Sequence, residues 1–218
     1  MRDLAYLKLL SREYPSVKTA SSEIINLTAI QGLPKGTEYF FSDLHGEYEA
    51  FVHLLRSASG VIREKIRDTF GHIISEEEQV ELANLIYYPE RGLDRVRASG
   101  ELTDDWKRIT IYRLVQICRV VSTKYTRSKV RKKMPETFAY VIDELLHADT
   151  EDTKEQYYGE IIHSITRTGM AEKFIITISR LIRQCSIDML HIIGDIFDRG
   201  PHADLVMDEL MGFHDVDI

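Results

Sequence analysis

The sequence predicts an α/β fold in which an incomplete βαβ sheet core is interrupted by a large, mostly α-helical insertion. Three observations predict it. Two short runs of β-prone or apolar residues, Thr37-Glu38-Tyr39-Phe40-Phe41-Ser42 and residues 187 to 193, each stop at a turn that bears a carboxylate. Between them the apolar residues recur at helical spacing. That interval is far longer than the about a dozen residues needed to join two parallel strands.

Residues 3 to 13 place Leu4, Leu7 and Leu10 at helical spacing and stop before Pro15. Residues 18 to 31 read as a second helix, with Ser21 or Ser22 as its cap and Ile24, Ile25, Leu27 and Ile30 on its apolar side. Both are expected to be packing elements that cover the sheet. The turn Gly32-Leu33-Pro34-Lys35-Gly36 launches the first strand. Residues 47 to 58 then set Tyr48, Phe51, Leu54 and Leu55 at intervals of three and four, so the strand feeds a helix whose N-terminus lies beside His45, a position that favours anionic ligands. Glu47 and Glu49 read either as partners of the metal ligands or, more commonly, as first-turn acids that complement the helix dipole, and His53 reads as a helix-surface or satisfied histidine.

Three segments follow from this pattern: residues 1 to 60, with the N-terminal helices, the first strand and its helix; residues 61 to 186, the helical insertion; and residues 187 to 218, the returning strand, its turn and a helix. Inside the insertion, Ser75-Glu76-Glu77-Glu78 marks a helix start, and a long periodic stretch runs from Thr103 to about Tyr125. Residues 147 to 155 read as a polar loop. His191 alternates with apolar neighbours in the second strand and is expected in the core. Residues 203 to 212 form the last helix, with Leu205, Val206, Leu210 and Met211 inward, before a final strand begins at the end of the chain.

The chemistry is concentrated where the two strands end. Gly194-Asp195-Ile196-Phe197-Asp198-Arg199-Gly200 packs two carboxylates and an arginine into one turn. Carboxylates crowded in this way repel one another, and a bound cation is the natural reason to gather them. Arg199 offers a planar fork suited to phosphate oxygens. Ser42-Asp43-Leu44-His45-Gly46 adds a hard oxygen donor and a borderline nitrogen donor two residues apart. An acidic loop near a helix start is the ordinary alternative for either turn alone; the pairing of the two is what points to a metal.

These two turns resemble the first two signature blocks of the calcineurin-like metallophosphoesterases. A closer resemblance, to the class III fructose-1,6-bisphosphatases of Firmicutes, rests on Glu23-Ile24-Ile25-Asn26-Leu27, Leu33-Pro34-Lys35-Gly36-Thr37-Glu38, His45-Gly46-Glu47-Tyr48-Glu49-Ala50-Phe51, Tyr87-Tyr88-Pro89-Glu90 and Lys124-Tyr125-Thr126-Arg127-Ser128-Lys129. The resemblance implies a metallophosphoesterase-like core and two manganese ions, one held by Asp43 and His45, with Asp195 bridging to the other. It further implies that Asp198 orients a catalytic histidine, that Arg199 grips the phosphoryl group, and that the reaction is gluconeogenic: fructose 1,6-bisphosphate and water to fructose 6-phosphate and phosphate, by metal-activated hydroxide. The superfamily's third block, a Gly-Asn-His-Asp or Gly-Asn-His-Glu turn, has no counterpart, so the sequence is expected to be the N-terminal portion of a larger enzyme.

The basic run from Lys124 to Lys133 has two readings, a solvated helix end or an anion cradle in which Lys124, Arg127 and Lys129 bind a second substrate phosphate. His202 is a weaker substrate contact. Among 218 residues, 28 Lys and Arg face 35 Asp and Glu for a net charge of −7, which disfavours a general nucleic-acid binder. Cys118 and Cys185 read as reduced buried thiols, and with no signal-like N-terminus or bilayer-length apolar run the expected compartment is the cytosol. A homo-oligomer is left open. Two other functions remain in view: another metallophosphoesterase acting on a protein or dinucleotide, and a catalytically incomplete fragment.

Overall fold

The computed structural model of the protein describes residues 2–147 and 155–218, so the polar loop expected at residues 147 to 155 falls almost wholly outside the described residues. Two compact units are present, Met1–Lys35 and Gly36–Ile218.

The first unit consists of α1 (Arg2–Glu13) and α2 (Val17–Gln31). The cap of α2 is Ser16, upstream of the expected Ser21 or Ser22. Its hydroxyl accepts from the Thr19 N–H at 3.2 Å while Thr19 Oγ1 accepts from the Ser16 N–H at 3.1 Å. In place of the burial expected of packing elements, Leu4, Leu7, Ile24, Ile25 and Leu27 are exposed. A unit this short has too little apolar surface to build a core of its own.

The second unit begins with β1 (Glu38–Ser42) and α3 (Tyr48–Ser57). A helical run follows: α4 (Val61–Phe70), α5 (Glu76–Tyr87), α6 (Pro89–Ser99), α7 (Asp104–Ser122), α8 (Arg127–Lys133), α9 (Ala139–Leu146), α10 (Glu155–Arg167) and α11 (Ala171–Ser186). The chain then returns through β2 (Met189–Ile193), α12 (Ala203–Gly212) and β3 (Val216–Asp217). Helix starts inside the run follow the sequence closely. Ser75 and Glu78 cap α5 reciprocally, and Thr103 caps α7 through the Trp106 N–H. Among the described residues, no helix is long and apolar enough to cross a membrane.

The core of this unit is centred on α7 and α11. Ile111, Leu114 and Ile117 from one helix and Phe174, Ile175, Ile178 and Ile182 from the other are fully buried. Cys118 and Cys185 lie in the same core as free thiols, and burial pushes Cys185 up to about 11 and Cys118 well above the usual thiol range, so neither is a nucleophile at neutral pH.

The described strands form one parallel sheet in the order β1-β2-β3. Its covered face presents Phe41, Leu190 and Ile192, and Phe51 of α3 packs edge-on against Phe41. The other face carries His191 in place of the core position expected for it. Its ring stacks on exposed Phe40 at 4.4 Å, with its nitrogens 3.4 Å from Glu38 and 3.3 Å from Asp217. Alternation puts His191 opposite Leu190, on the face where, among the described residues, Phe40 and Ile193 are exposed. Met211, expected inward on α12, is likewise exposed, while Val206 and Leu210 are buried.

Candidate metal centre

The register of the sheet builds the site. Ser42 is paired with Ile193, so the two strands end level and release their turns side by side. Parallel strands place their ligand-binding turns at this carboxyl end. The turns are then joined backbone to backbone. Asp43 N–H donates to Ile193 O at 3.2 Å, His45 N–H to Asp195 O at 3.0 Å and Gly46 N–H to Ile196 O at 2.8 Å; in return Gly200 N–H donates to His45 O at 2.5 Å and His202 N–H to Gly46 O at 3.2 Å.

This approach leaves no room for side chains at two glycines. A Cβ on Gly46, whose φ is 70°, would stand 2.8 Å from the Gly200 carbonyl oxygen, and one on Gly200 would strike the His45 carbonyl. Three residues with side chains also adopt left-handed backbone in these turns: Asp43 at φ 52°, His45 at 49° and Arg199 at 77°. Each costs on the order of 1 kcal/mol and persists because the joined turns hold it.

That backbone brings the predicted groups together. His45, Asp195 and Asp198 each offer a ligand atom within 4.8 Å of the others. His45 Nδ1 is in hydrogen-bond contact with Asp198 Oδ1. The Asp198 carboxyl is held below its usual range, first by that hydrogen bond and then by the charges of His45 and Arg199. Asp43 lies alongside with its Oδ1 3.4 Å from the Asp195 N–H, and a Cβ on Gly194 would touch the same oxygen at 2.5 Å. Arg199 extends into solvent with its side chain 76% exposed and its Nε 3.4 Å from Asp198, and exposed His202 precedes α12. One imidazole and two carboxylates at this spacing, with a third carboxylate beside them, fit a divalent cation that accepts oxygen and borderline nitrogen donors.

The basic run, read either as a solvated helix end or as an anion cradle, lies against acids and an aromatic ring. Lys124 Nζ pairs with Asp188 at 2.5 Å and donates to Thr37 Oγ1 at 2.9 Å. Arg127 makes a two-point contact with Asp143, at 3.2 and 2.7 Å, and Lys129 lies over the Tyr125 ring at 4.9 Å. Lys124 and Arg127 therefore already have carboxylate partners, because the long helical segment folds their acids onto them.

Asp188 has a role that the sequence does not announce. Burial alone would raise its carboxyl, yet Lys124, Tyr125 and the Thr37 N–H outweigh that and hold it below the usual range. It ties the start of β2 to the residue before β1, which sets the register that the metal turns depend on. Only an acid directly before an apolar strand signals it, and its partners lie far away in the chain.

Comparison with known proteins gives a consistent result. The family described as Firmicute fructose-1,6-bisphosphatase matches residues 5–218. The class 3 fructose-1,6-bisphosphatase of Alkaliphilus metalliredigens is 55% identical over 217 residues, covering 99% of this chain and 33% of that protein. The class 3 enzyme of Clostridium acetobutylicum is also 55% identical with the same coverage, and that of Clostridium novyi is 53% identical over 218 residues, 100% of this chain and 33% of its own length. This chain thus spans about a third of the length of the curated relatives it matches. No solved structure matches it significantly.

Proposed function

We propose, from the premise that this chain belongs to the Firmicute fructose-1,6-bisphosphatase family, that it takes part in hydrolysis of fructose 1,6-bisphosphate to fructose 6-phosphate and phosphate. Its part is to supply the metal-binding turns. The observation that carries this reading is the convergence of His45, Asp195 and Asp198 at the level ends of two parallel strands.

In this reading Asp43, His45 and Asp195 would hold two manganese ions. Bound there, the ions would supply Lewis-acid polarisation of the phosphoryl oxygens and acidify a water molecule. The protein's own groups do the positioning. Asp198 accepts from His45 Nδ1, which fixes the ring and leaves Nε2 as the nitrogen with a free lone pair. Arg199, exposed and held through Asp198, swings its planar fork onto the phosphoryl group as charge moves to the leaving oxygen. His202, held beside Gly46 by its backbone, lines the approach to the phosphoryl group. The core is metallophosphoesterase-like, with β1 and α3 from the segment 1 to 60 and β2, its turn and α12 from the segment 187 to 218, and residues 61 to 186 are a helical insertion in its βαβ unit. Support for that comes from the parallel pairing of β1 and β2 across the helical run.

The test is phosphate release from fructose 1,6-bisphosphate with and without Mn2+, comparing the protein with its Asp195→Asn variant. Release that requires the metal and disappears in the variant is expected. Equal release from both would remove Asp195 from the reaction. The span of about a third of the relatives' length favours a second reading, in which these turns bind metal but act only together with further sequence. Metal binding that Asp195→Asn abolishes, without turnover in either protein, distinguishes it.

A further inference from the structure

A second gathering of charge lies outside the metal turns. Arg56 of α3, Arg91 of α6 and Arg180 and Arg183 of α11 line one cavity of about 360 Å³, together with Tyr88 and Glu90. Four guanidinium groups and one carboxylate therefore line the cavity, with Glu209 near enough to act on Arg183. Arg180 donates to Glu90 Oε1 at 2.6 Å. Arg56, Arg91 and Arg183 have no carboxylate within ion-pair distance among the described residues.

What holds these like charges together is scaffold. The Arg56 and Arg91 guanidinium groups sit over the Tyr88 ring, 5.2 and 5.8 Å from its centre. That ring is itself fixed, since its hydroxyl meets His53 Nδ1 at 2.7 Å. Arg183 is half-buried and donates to the Tyr87 carbonyl at 2.6 Å. Its guanidinium is pushed down from its ordinary range by burial first and then by the charges of Arg56 and Arg180, which Glu90 and Glu209 offset only in part. Arg56 and Arg183 are partly buried and Arg91 and Arg180 are exposed, so three packed helices gather four guanidinium groups of like charge around one cavity.

We propose that Arg56, Arg91, Arg180 and Arg183 form a phosphoryl-binding site separate from the metal centre, which takes the dianionic phosphate of a small metabolite. The planar forks provide paired donors matched to phosphate oxygens, and the cavity has the volume for a phosphate with a small body. An anion there relieves the mutual repulsion of the arginines. The inference does not depend on the activity proposed above.

The experiment is calorimetric titration of the metal-free protein with inorganic phosphate, comparing the unsubstituted chain, Arg56→Gln/Arg91→Gln and Asp195→Asn. Arg56 and Arg91 have no carboxylate to strand, and unchanged thermal unfolding of the double variant confirms that it folds. Phosphate affinity is expected to fall at least tenfold in the arginine variant and to hold in Asp195→Asn. Titration with fructose 1,6-bisphosphate in the presence of Mn2+ then separates two sources of the phosphate. If it is the substrate's second phosphate, both variants weaken bisphosphate binding; if it comes from a separate metabolite, only Asp195→Asn does. Phosphate affinity unaltered by the arginine substitutions, loss only in Asp195→Asn, or no phosphate binding by the unsubstituted chain overturns the proposal.

Discussion

At Gly200 a single added methyl group decides whether the two turns can meet, because its place is taken by the His45 carbonyl. Gly200→Ala is therefore expected to lower Mn2+ affinity at least tenfold with the helical core unchanged, checked by metal titration beside circular dichroism. The Lys124–Asp188 pair acts on the same site from below. Its two side chains are 10% and 15% exposed, so Lys124→Met leaves a largely buried carboxylate without its cation and is expected to cost about 3 kcal/mol in urea unfolding. The Asp188 carboxyl titrates lower in the folded than in the unfolded chain, so its contribution is present above about pH 5 and is lost as pH falls through the depressed folded value. The urea midpoint of Asp188→Asn should accordingly lie below that of the unsubstituted chain at pH 7 and approach it in acid. At this scale the sequence shows chemistry better than anchorage. Asp43, His45, Asp195, Asp198 and Arg199 stand in two short stretches whose residue types point to metal and phosphate, whereas Asp188 acquires its meaning only from Thr37 and Lys124, which folding alone brings to it.

Among the elements, start signals with a specific hydrogen-bond logic were legible. Ser75 with Glu78 has the reciprocal capping pattern, and Ser75→Ala should cost about 1 kcal/mol, measurable as a lowered urea midpoint. The start of α2 was harder to read, because its third helical position is Thr19 where Glu or Gln usually completes the pattern, and the apolar run that begins at Ile24 drew the expected cap downstream. Periodicity located α7 but could not say that it packs on α11. Leu114, fully buried on α7, tests the packing of that helix: Leu114→Ala is expected to lose about 2 to 5 kcal/mol, again by urea unfolding. His191 shows the limit of alternation. A period of two separates the faces of a strand without telling which one is covered.

Across the whole molecule, the spacing of the two carboxylate turns was enough to anticipate parallel strands with a helical run between them, and the structure places β1 and β2 parallel and in level register across that run. The arginine cavity was not legible, since Arg56, Arg91, Arg180 and Arg183 come from three helices and none stands in a charge run. The basic run that did stand out instead pairs with acids of the same unit. The central claim is that the two strand-end turns jointly hold a divalent cation. An anomalous-difference map from crystals of the protein grown with Mn2+ tests it most directly: the account expects a manganese peak within coordination distance of His45 and Asp195, absent from crystals of Asp195→Asn, and a peak that avoids both residues, or one that the substitution leaves in place, would contradict it.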